Sequence, residues 1–102
     1  MAKLMVLYKT PADAAAFDDY YRDQHLPIAK RIPGLARYEV NDGAVSSAGG
    51  PSPYHLVALL EFESMNALQQ AMGSPEGRAA AADLSNFAQA GAEMLIFETK
   101  DV

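Results

Sequence analysis

The segment Lys3–Asn41, KLMVLYKTPADAAAFDDYYRDQHLPIAKRIPGLARYEVN, contains a strand, a helix and a second strand, and it decides the fold. Lys3–Lys9 is a short apolar run bounded by lysines, which is typical of a strand. The alanine-rich sequence from Ala12 onward favours a helix, and Pro11 suits its first turn. Leu35–Asn41 alternates apolar and polar side chains, which predicts the second strand.

The first helix is predicted to be amphipathic and interrupted. At about 100° per residue, one face carries Phe17, Tyr20, Tyr21, Gln24 and Ile28. Pro27 has no N–H to donate to the carbonyl of Asp23, and it disfavours the α conformation in Leu26. We therefore expect the helix to run to about His25, break at Leu26-Pro27 and continue as one short helical turn.

The second half of the chain repeats the order strand, helix, strand. Tyr54–Glu63 and Ala92–Lys100 are predicted strands rich in apolar residues, and the long Gly-, Ser- and Pro-rich loop Asp42–Pro53 precedes the first of them. Ser64 and Ser74 are good N-caps, so the second helix is expected to be split in two. The order β-α-β-β-α-β predicts an α+β, ferredoxin-like fold, a four-stranded antiparallel sheet with its helices on one face.

The amino-acid composition and net charge of the chain disfavour some classes of binding partner. The chain has 102 residues, 50% of them hydrophobic, and a net charge of −5. We expect residues 1–102 to form a single domain, too hydrophobic for disorder and too short for two cores. The acidic balance argues against a nucleic acid partner, and the lack of a long apolar segment argues against a membrane. With no cysteine, disulfides and thiolate chemistry are excluded. These features predict a soluble cytoplasmic protein.

The predicted strands carry more apolar side chains than one helix-covered face can use. A sheet that is covered on one side normally alternates apolar with polar residues. Here five or six large side chains are left on the uncovered face, and their partial burial is worth on the order of 10 kcal/mol. We predict that two copies stack these faces as a two-fold homodimer. The alternative is a monomer with an exposed apolar patch.

His25 is the candidate catalytic residue, with Tyr21 as its neighbour. The two lie four residues apart, so their side chains adjoin on the helix surface. A histidine changes charge near neutral pH and can act as a general acid or base. Two interpretations stay open: this catalytic one, and a helix-end histidine that only satisfies backbone carbonyls.

Three further residues are candidates for contact with a small molecule: Tyr8, Arg37 and His55. His55 begins the third strand, either at a cavity rim or as an ordinary strand-end polar residue. Arg37 is either solvated or, if it points between two sheets, a polar contact in an apolar cavity. Neither metal-ligand spacing nor a glycine-rich phosphate loop is present, so we expect no metal and no other cofactor.

The chain resembles the EthD family, named for a protein associated with bacterial degradation of fuel ethers. The resemblance covers Lys3 to about Thr99. Its most specific part is Tyr-x-x-x-His-Leu-Pro, here Tyr21, His25, Leu26 and Pro27, followed by Ile-Pro-Gly-Leu at 32–35. The resemblance implies a dimeric α+β barrel in which His25 and Tyr21 are the site pair. Related barrels include cofactor-independent polyketide cyclases and monooxygenases, lactone isomerases and haem-binding members.

Three functions are compatible with these observations. The leading hypothesis is a small enzyme that acts by proton transfer, or by oxidation of a substrate that activates oxygen itself, on a small hydrophobic molecule held between sheet and helices. In it His25 is the acid or base and Tyr21 orients it or donates a hydrogen bond. The second is a non-catalytic binding or accessory module for a partner oxygenase. The third is a haem-binding barrel with a histidine ligand.

Overall fold

The computed structural model describes residues 1–102. Its main sheet has four strands, β1 (Ala2–Lys9), β2 (Leu35–Val40), β3 (Tyr54–Phe62) and β4 (Ala92–Glu98). They lie in the order β2-β3-β1-β4, and every neighbouring pair is antiparallel. This arrangement confirms the predicted α+β, ferredoxin-like fold.

The helices cover one face of this sheet. Helices α1 (Ala14–Tyr20) and α2 (Leu26–Ala29) connect β1 to β2, and helices α3 (Met65–Gly73) and α4 (Pro75–Phe87) connect β3 to β4. The buried side chains of the two central strands belong to the core formed with these helices: Ala2, Leu4, Val6, Tyr8, Ala58, Leu60 and Phe62. None of the helices is long and apolar enough to cross a membrane.

The first helix does not break at Leu26-Pro27, so that prediction is wrong. Leu26 keeps the α conformation, with φ −56° and ψ −44°, and its N–H donates to the carbonyl of Tyr21. Residues Tyr21–His25 form a π-helical turn between α1 and α2. Because hydrogen bonds in a π turn span five residues instead of four, the helix accommodates the missing N–H of Pro27 without a break.

The π turn also changes which side chains face the core. The regular α-helical period predicted Gln24 on the buried face, but Gln24 is exposed and His25 is buried. Since a π turn holds more than four residues, residues four apart lie almost above one another. Phe17, Tyr21 and His25 therefore form one buried stripe, and the π turn is what brings the imidazole into the core.

The split of the second helix is confirmed, and the predicted serines cap both halves. Ser64 Oγ accepts a hydrogen bond from the N–H of Ala67, and Ser74 Oγ accepts one from the N–H of Gly77, each at 3.1 Å. The two helices meet closely at this turn. A Cβ atom on Gly77 would clash with the carbonyl oxygen of Ala71, so the junction requires a glycine.

Replacing Gly77 by alanine is expected to lower the free energy of unfolding by about 1–3 kcal/mol, the usual cost of overpacking. The added Cβ would lie 2.8 Å from the Cα of Met72, which is backbone and has little room to move. Gly73→Ala is the matched control, because no atom lies within 4 Å of its added Cβ, and it should gain up to about 1 kcal/mol. Urea unfolding followed by circular dichroism measures both, and a gain in stability for Gly77→Ala would contradict the packing described.

The opposite face of the sheet confirms the predicted excess of apolar side chains. Leu95 and Phe97 on the edge strand β4 are 51% and 37% exposed. Strand pairing places six large apolar residues on this open face: Met5, Leu7, Val57, Leu59, Leu95 and Phe97. Polar residues border them, including the Lys3–Glu61 ion pair at 2.8 Å. No helix of the chain covers this face.

Candidate functional site

A buried histidine–carboxylate pair lies between the first and last helices. His25 Nδ1 is 2.9 Å from Asp83 Oδ2, and the two residues are 3% and 6% exposed. The π turn turns His25 inward, and α4 presents Asp83 on its buried face beside Ala80 and Phe87. We call these two residues the His25–Asp83 pair.

Asp83 accepts hydrogen bonds from three side chains. Oδ2 faces the imidazole of His25, while Oδ1 accepts from the hydroxyl of Tyr20 at 2.7 Å and from the amide of Asn86 at 2.9 Å. A buried carboxylate is tolerated when its oxygens are satisfied in this way. The three donors also fix the orientation of the carboxylate relative to the imidazole.

The electrostatics of the pair select one tautomer of His25. Burial lowers the pKa of His25, and this effect outweighs the opposing hydrogen bond to Asp83. Burial raises the pKa of Asp83, but hydrogen bonds from Asn86, Tyr20 and His25 hold it below its usual range. At neutral pH a neutral imidazole therefore donates its Nδ1–H to an ionised carboxylate. The other nitrogen, Nε2, carries the free lone pair, and the only side-chain hydrogen bond of His25 is the one at Nδ1. Since no fully buried side-chain nitrogen is left unpaired, Nε2 is not sealed off completely.

Aromatic rings enclose the imidazole. The ring centroid of Phe87 lies 4.8 Å from that of His25, and the ring of Tyr21 lies 5.2 Å away. Phe87 also contacts the rings of Tyr8 and Phe17 at 5.5 and 5.3 Å. These contacts contribute to the burial that lowers the pKa of His25.

Two tyrosine hydroxyls form a hydrogen bond beside this shell. Tyr21 Oη lies 2.6 Å from Tyr38 Oη, so a side chain of the π turn meets a side chain of β2 there. Burial raises the pKa of both phenols, which therefore stay protonated and remain able to donate. Tyr8 packs edge-on against Tyr21 at 5.6 Å, and burial raises the pKa of its phenol as well.

A small cavity of about 20 Å³ adjoins the pair. His25, Tyr8 and Tyr38 contribute to its lining, and the rest of the wall is mostly aliphatic. Such a volume holds about one water molecule. Met72 and Met94 form part of the wall, and Met94 is 41% exposed. Because methionine side chains adapt readily, their rotation is the simplest way for a larger molecule to reach His25.

The structure brings three of the five predicted site residues together, namely His25, Tyr21 and Tyr8. His55 lies at the edge of the same aromatic core, with Nε2 2.7 Å from Asp18 Oδ1 and with its ring edge-on to Phe17. Arg37 is not brought to them. It lies on the open face, exposed, with Nε 3.7 Å from Oε1 of Glu39, so a role for Arg37 requires a cavity between two sheets.

A β-bulge explains the position of His55. In the ladder Tyr8 pairs with Leu56, whereas Lys9 pairs with Tyr54, so His55 is an extra residue on β3. A bulge re-aims side chains locally. Tyr54 consequently bonds Glu93 at 2.9 Å, while His55 reaches the helix side and Asp18.

Sequence reasoning missed Asp83, Tyr38 and the other side chains that complete the site, Tyr20, Asn86 and Phe87. A signal for Asp83 was present. It lies three residues after Ala80 and four before Phe87, so helix geometry places it on the same face as these two apolar residues, where a lone carboxylate needs a buried partner. The chain contains no group of three His, Asp or Glu side chains arranged to hold a metal ion.

The antiparallel sheet, the helices on one of its faces and the buried pair beneath them define a ferredoxin-like α+β protein with an internal polar site. The chain belongs to the EthD domain family, which matches residues 9–91. It is 40% identical over 102 residues to an uncharacterized 11.0 kDa protein from the thcB–thcC intergenic region of Rhodococcus erythropolis, covering 100% of this chain and 98% of that one.

Solved structures show the same fold. An EthD family protein from Bacillus halodurans is 36% identical, with a TM-score of 0.89 over 98% of this chain and 99% of the other. SnoaB, a cofactor-independent oxygenase from Streptomyces nogalater, is 15% identical, with a TM-score of 0.69 over 99% and 94% of the two chains. A dimeric ferredoxin-like protein of unknown function from Thermobifida fusca is 14% identical, with a TM-score of 0.69 over 96% and 90%.

Proposed function

We propose that this protein binds a small hydrophobic organic molecule and catalyses proton transfer on it, with His25 as the general base. The observation that carries the proposal is the His25–Asp83 pair. A carboxylate that orients a neutral imidazole and stabilises the imidazolium formed from it is the recurrent arrangement of a general base. Tyr21 is the second catalytic residue proposed.

The arrangement suits abstraction of a proton from carbon next to a carbonyl. Nε2 of His25 would take the proton, and Asp83 would stabilise the positive charge on the ring. The electron pair of the broken C–H bond would move to the substrate oxygen, where a protonated tyrosine hydroxyl can donate a hydrogen bond. Return of the proton to another carbon completes an isomerisation. Attack of the carbanion on a second carbonyl forms an alkoxide, which takes the proton back from Nε2 of His25 and completes a cyclisation.

The proposed chemistry uses no bound cofactor. The fold relative SnoaB is a cofactor-independent oxygenase. Tyr8 and His55 would contact the bound molecule from the strands. No observation favours an accessory module or a haem-binding barrel over this proposal.

Exchange of C–H protons provides a test that needs no natural substrate. 2-Tetralone, a small aromatic ketone with acidic C–H bonds, should exchange deuterium from D₂O faster in the presence of the protein. His25→Gln is expected to lower the protein-dependent rate by about 10²–10⁴, as measured by proton NMR. Gln24→Ala, one residue away and exposed, is the control and should keep the rate. An unchanged rate for folded His25→Gln would refute the role of His25.

We further propose that two copies form a homodimer through the open face of the sheet. The six apolar side chains there are a surface that monomeric proteins rarely expose. The Thermobifida fusca protein of the same fold is dimeric. Two such faces packed together would give the α+β barrel expected of the family, and Arg37 would then lie at the rim of the interface.

A further inference from the structure

A second, larger cavity lies outside the His25 site, between the beginning of α1 and the end of α4. This cleft has a volume of about 520 Å³ and is open to solvent. Pockets of about 300–1,000 Å³ are typical of small-molecule sites. The cleft shares no lining residue with the small cavity beside His25, so the two are separate spaces.

The floor of the cleft is aromatic. Tyr20 and Phe87 stack with their ring centroids 5.2 Å apart and an interplanar angle of 22°. Phe17 lies 5.3 Å from Phe87 and completes the surface. Phe17 and Phe87 are only 4% and 6% exposed, so Tyr20 is the ring most open to a ligand, and it can bind another aromatic ring by offset stacking or by an edge contact.

The charged and polar groups around the cleft disfavour the binding of an anion. Asp13, the N-cap of α1, is the one charged side chain in the lining, which contains no lysine, arginine or histidine. The α4 helix ends at Phe87 and α1 begins at Ala14, so the negative end of one helix dipole and the positive end of the other both lie at the cleft and oppose each other, which leaves the Asp13 carboxylate as the charge that disfavours an anion. The amides of Asn86 and Gln89 add carbonyl oxygens. These acceptors match a neutral ligand that carries a hydroxyl or amine donor.

The cleft connects to the His25–Asp83 pair through two side chains. Tyr20 lines the cleft and its hydroxyl donates to Asp83 Oδ1, while Asp83 Oδ2 accepts from Nδ1 of His25. Phe87 lines the cleft and packs against the imidazole at 4.8 Å. A single aromatic ring thus separates the cleft from His25.

We propose that the cleft between α1 and α4 binds a neutral aromatic molecule bearing a hydroxyl or amine group, and that Phe87 is the partition between this molecule and His25. Binding in the cleft stands independently of catalysis. A molecule bound in the cleft reaches Nε2 of His25 only if Phe87 moves aside, and its identification as the substrate of His25 rests on the proposed function.

1-Naphthol is a suitable probe because it is aromatic, neutral at pH 7 and carries one hydroxyl. Titration into ¹⁵N-labelled protein should give saturable shifts concentrated at residues 11–20 and 86–90. Its anionic counterpart 1-naphthoate should bind about tenfold more weakly or worse, which is at least about 1.4 kcal/mol. Equal affinity for the two probes would contradict the charge argument.

Substitutions that fill the cleft with a larger side chain test whether the cleft is the binding site for 1-naphthol. Ala16 and Ala90 are exposed and line it from opposite sides, so Ala16→Phe and Ala90→Phe should each weaken 1-naphthol binding at least about tenfold. Ala15→Phe is the matched control, since Ala15 is exposed on the same helix but outside the cleft. Unchanged affinity in both filled variants, or shifts confined to the open face of the sheet, would overturn the proposal.

Different results would refute the proposed role of His25 and the proposed binding of a ligand in the cleft. If 1-naphthol binds in the cleft while His25→Gln leaves the 2-tetralone exchange rate unchanged, the cleft stands and the catalytic role of His25 falls. If the exchange depends on His25 while the filled variants bind 1-naphthol normally, the cleft proposal falls alone.

Discussion

Asp83→Ala is expected to lower the free energy of unfolding by about 2–4 kcal/mol, because a hydrogen bond to a charged acceptor contributes about 1.5–3 kcal/mol and a buried donor left unpaired is costly. The variant leaves three donors without an acceptor, on His25, Tyr20 and Asn86. Small domains are stable by only about 5–15 kcal/mol, so this loss would be a large part of the total. Chemical unfolding monitored by circular dichroism measures it.

Two further variants separate the causes of that loss. Asp19→Ala removes an exposed carboxylate from the same protein and should change the free energy of unfolding by no more than about 0.5 kcal/mol. Asp83→Asn keeps the size of the side chain and one acceptor oxygen, so it should fall between the two. A loss below about 1 kcal/mol for Asp83→Ala, the scale of one ordinary hydrogen bond, would show that the pair does not hold the helices together.

Leu95→Asp is expected to convert a dimer into a monomer. Burying a carboxylate in an apolar interface without a partner costs several kcal/mol, which raises a dissociation constant by orders of magnitude. Leu95 is 51% exposed in the single chain, so the variant should still fold. Analytical ultracentrifugation should find twice the chain mass of 10.9 kDa for the unaltered protein and the single mass for the variant.

Ile96→Asp is the matched control for this experiment. Ile96 is the next residue on β4 and is 52% exposed, but strand pairing places it on the other face of the sheet. The Ile96→Asp variant should therefore remain dimeric. A concentration-independent single mass for the unaltered protein, or the same mass for both variants, would contradict assembly through the open face.

The elements with local signals were predictable from the sequence. Ser64 and Ser74 capped helices as expected because an N-cap depends on a few neighbouring residues. The open apolar face was predictable for a similar reason: once the strands are recognised, alternation alone decides which side chains share a face.

The errors arose where packing overrides local preference. Pro27 and the residue before it argue for a break in an isolated helix, but burial of His25 and Tyr21 against the sheet stabilises a π turn instead. His55 reaches the helix side only because of a bulge in the β1–β3 ladder, and the register of that ladder depends on both strands together.

Only part of the candidate site could be predicted from the sequence. Tyr21 and His25 are close in sequence, so their contact follows from helix geometry. Asp83 is 58 residues from His25, and only the crossing of the helices over the sheet brings them together. The partner that defines the chemistry of His25 therefore emerges from the topology.

The protonation state of His25 tests the central claim most directly. Nitrogen NMR of ¹⁵N-histidine-labelled protein, assigned with the variant His55→Gln, reports which ring nitrogen carries the proton. The structure predicts a proton on Nδ1, a free Nε2 at pH 7, and titration below the ordinary histidine pKa of 6.5 because burial lowers it. A proton on Nε2 at pH 7 would contradict a general base oriented by Asp83, and titration at or above pH 6.5 would contradict the dominance of burial over the Asp83 hydrogen bond.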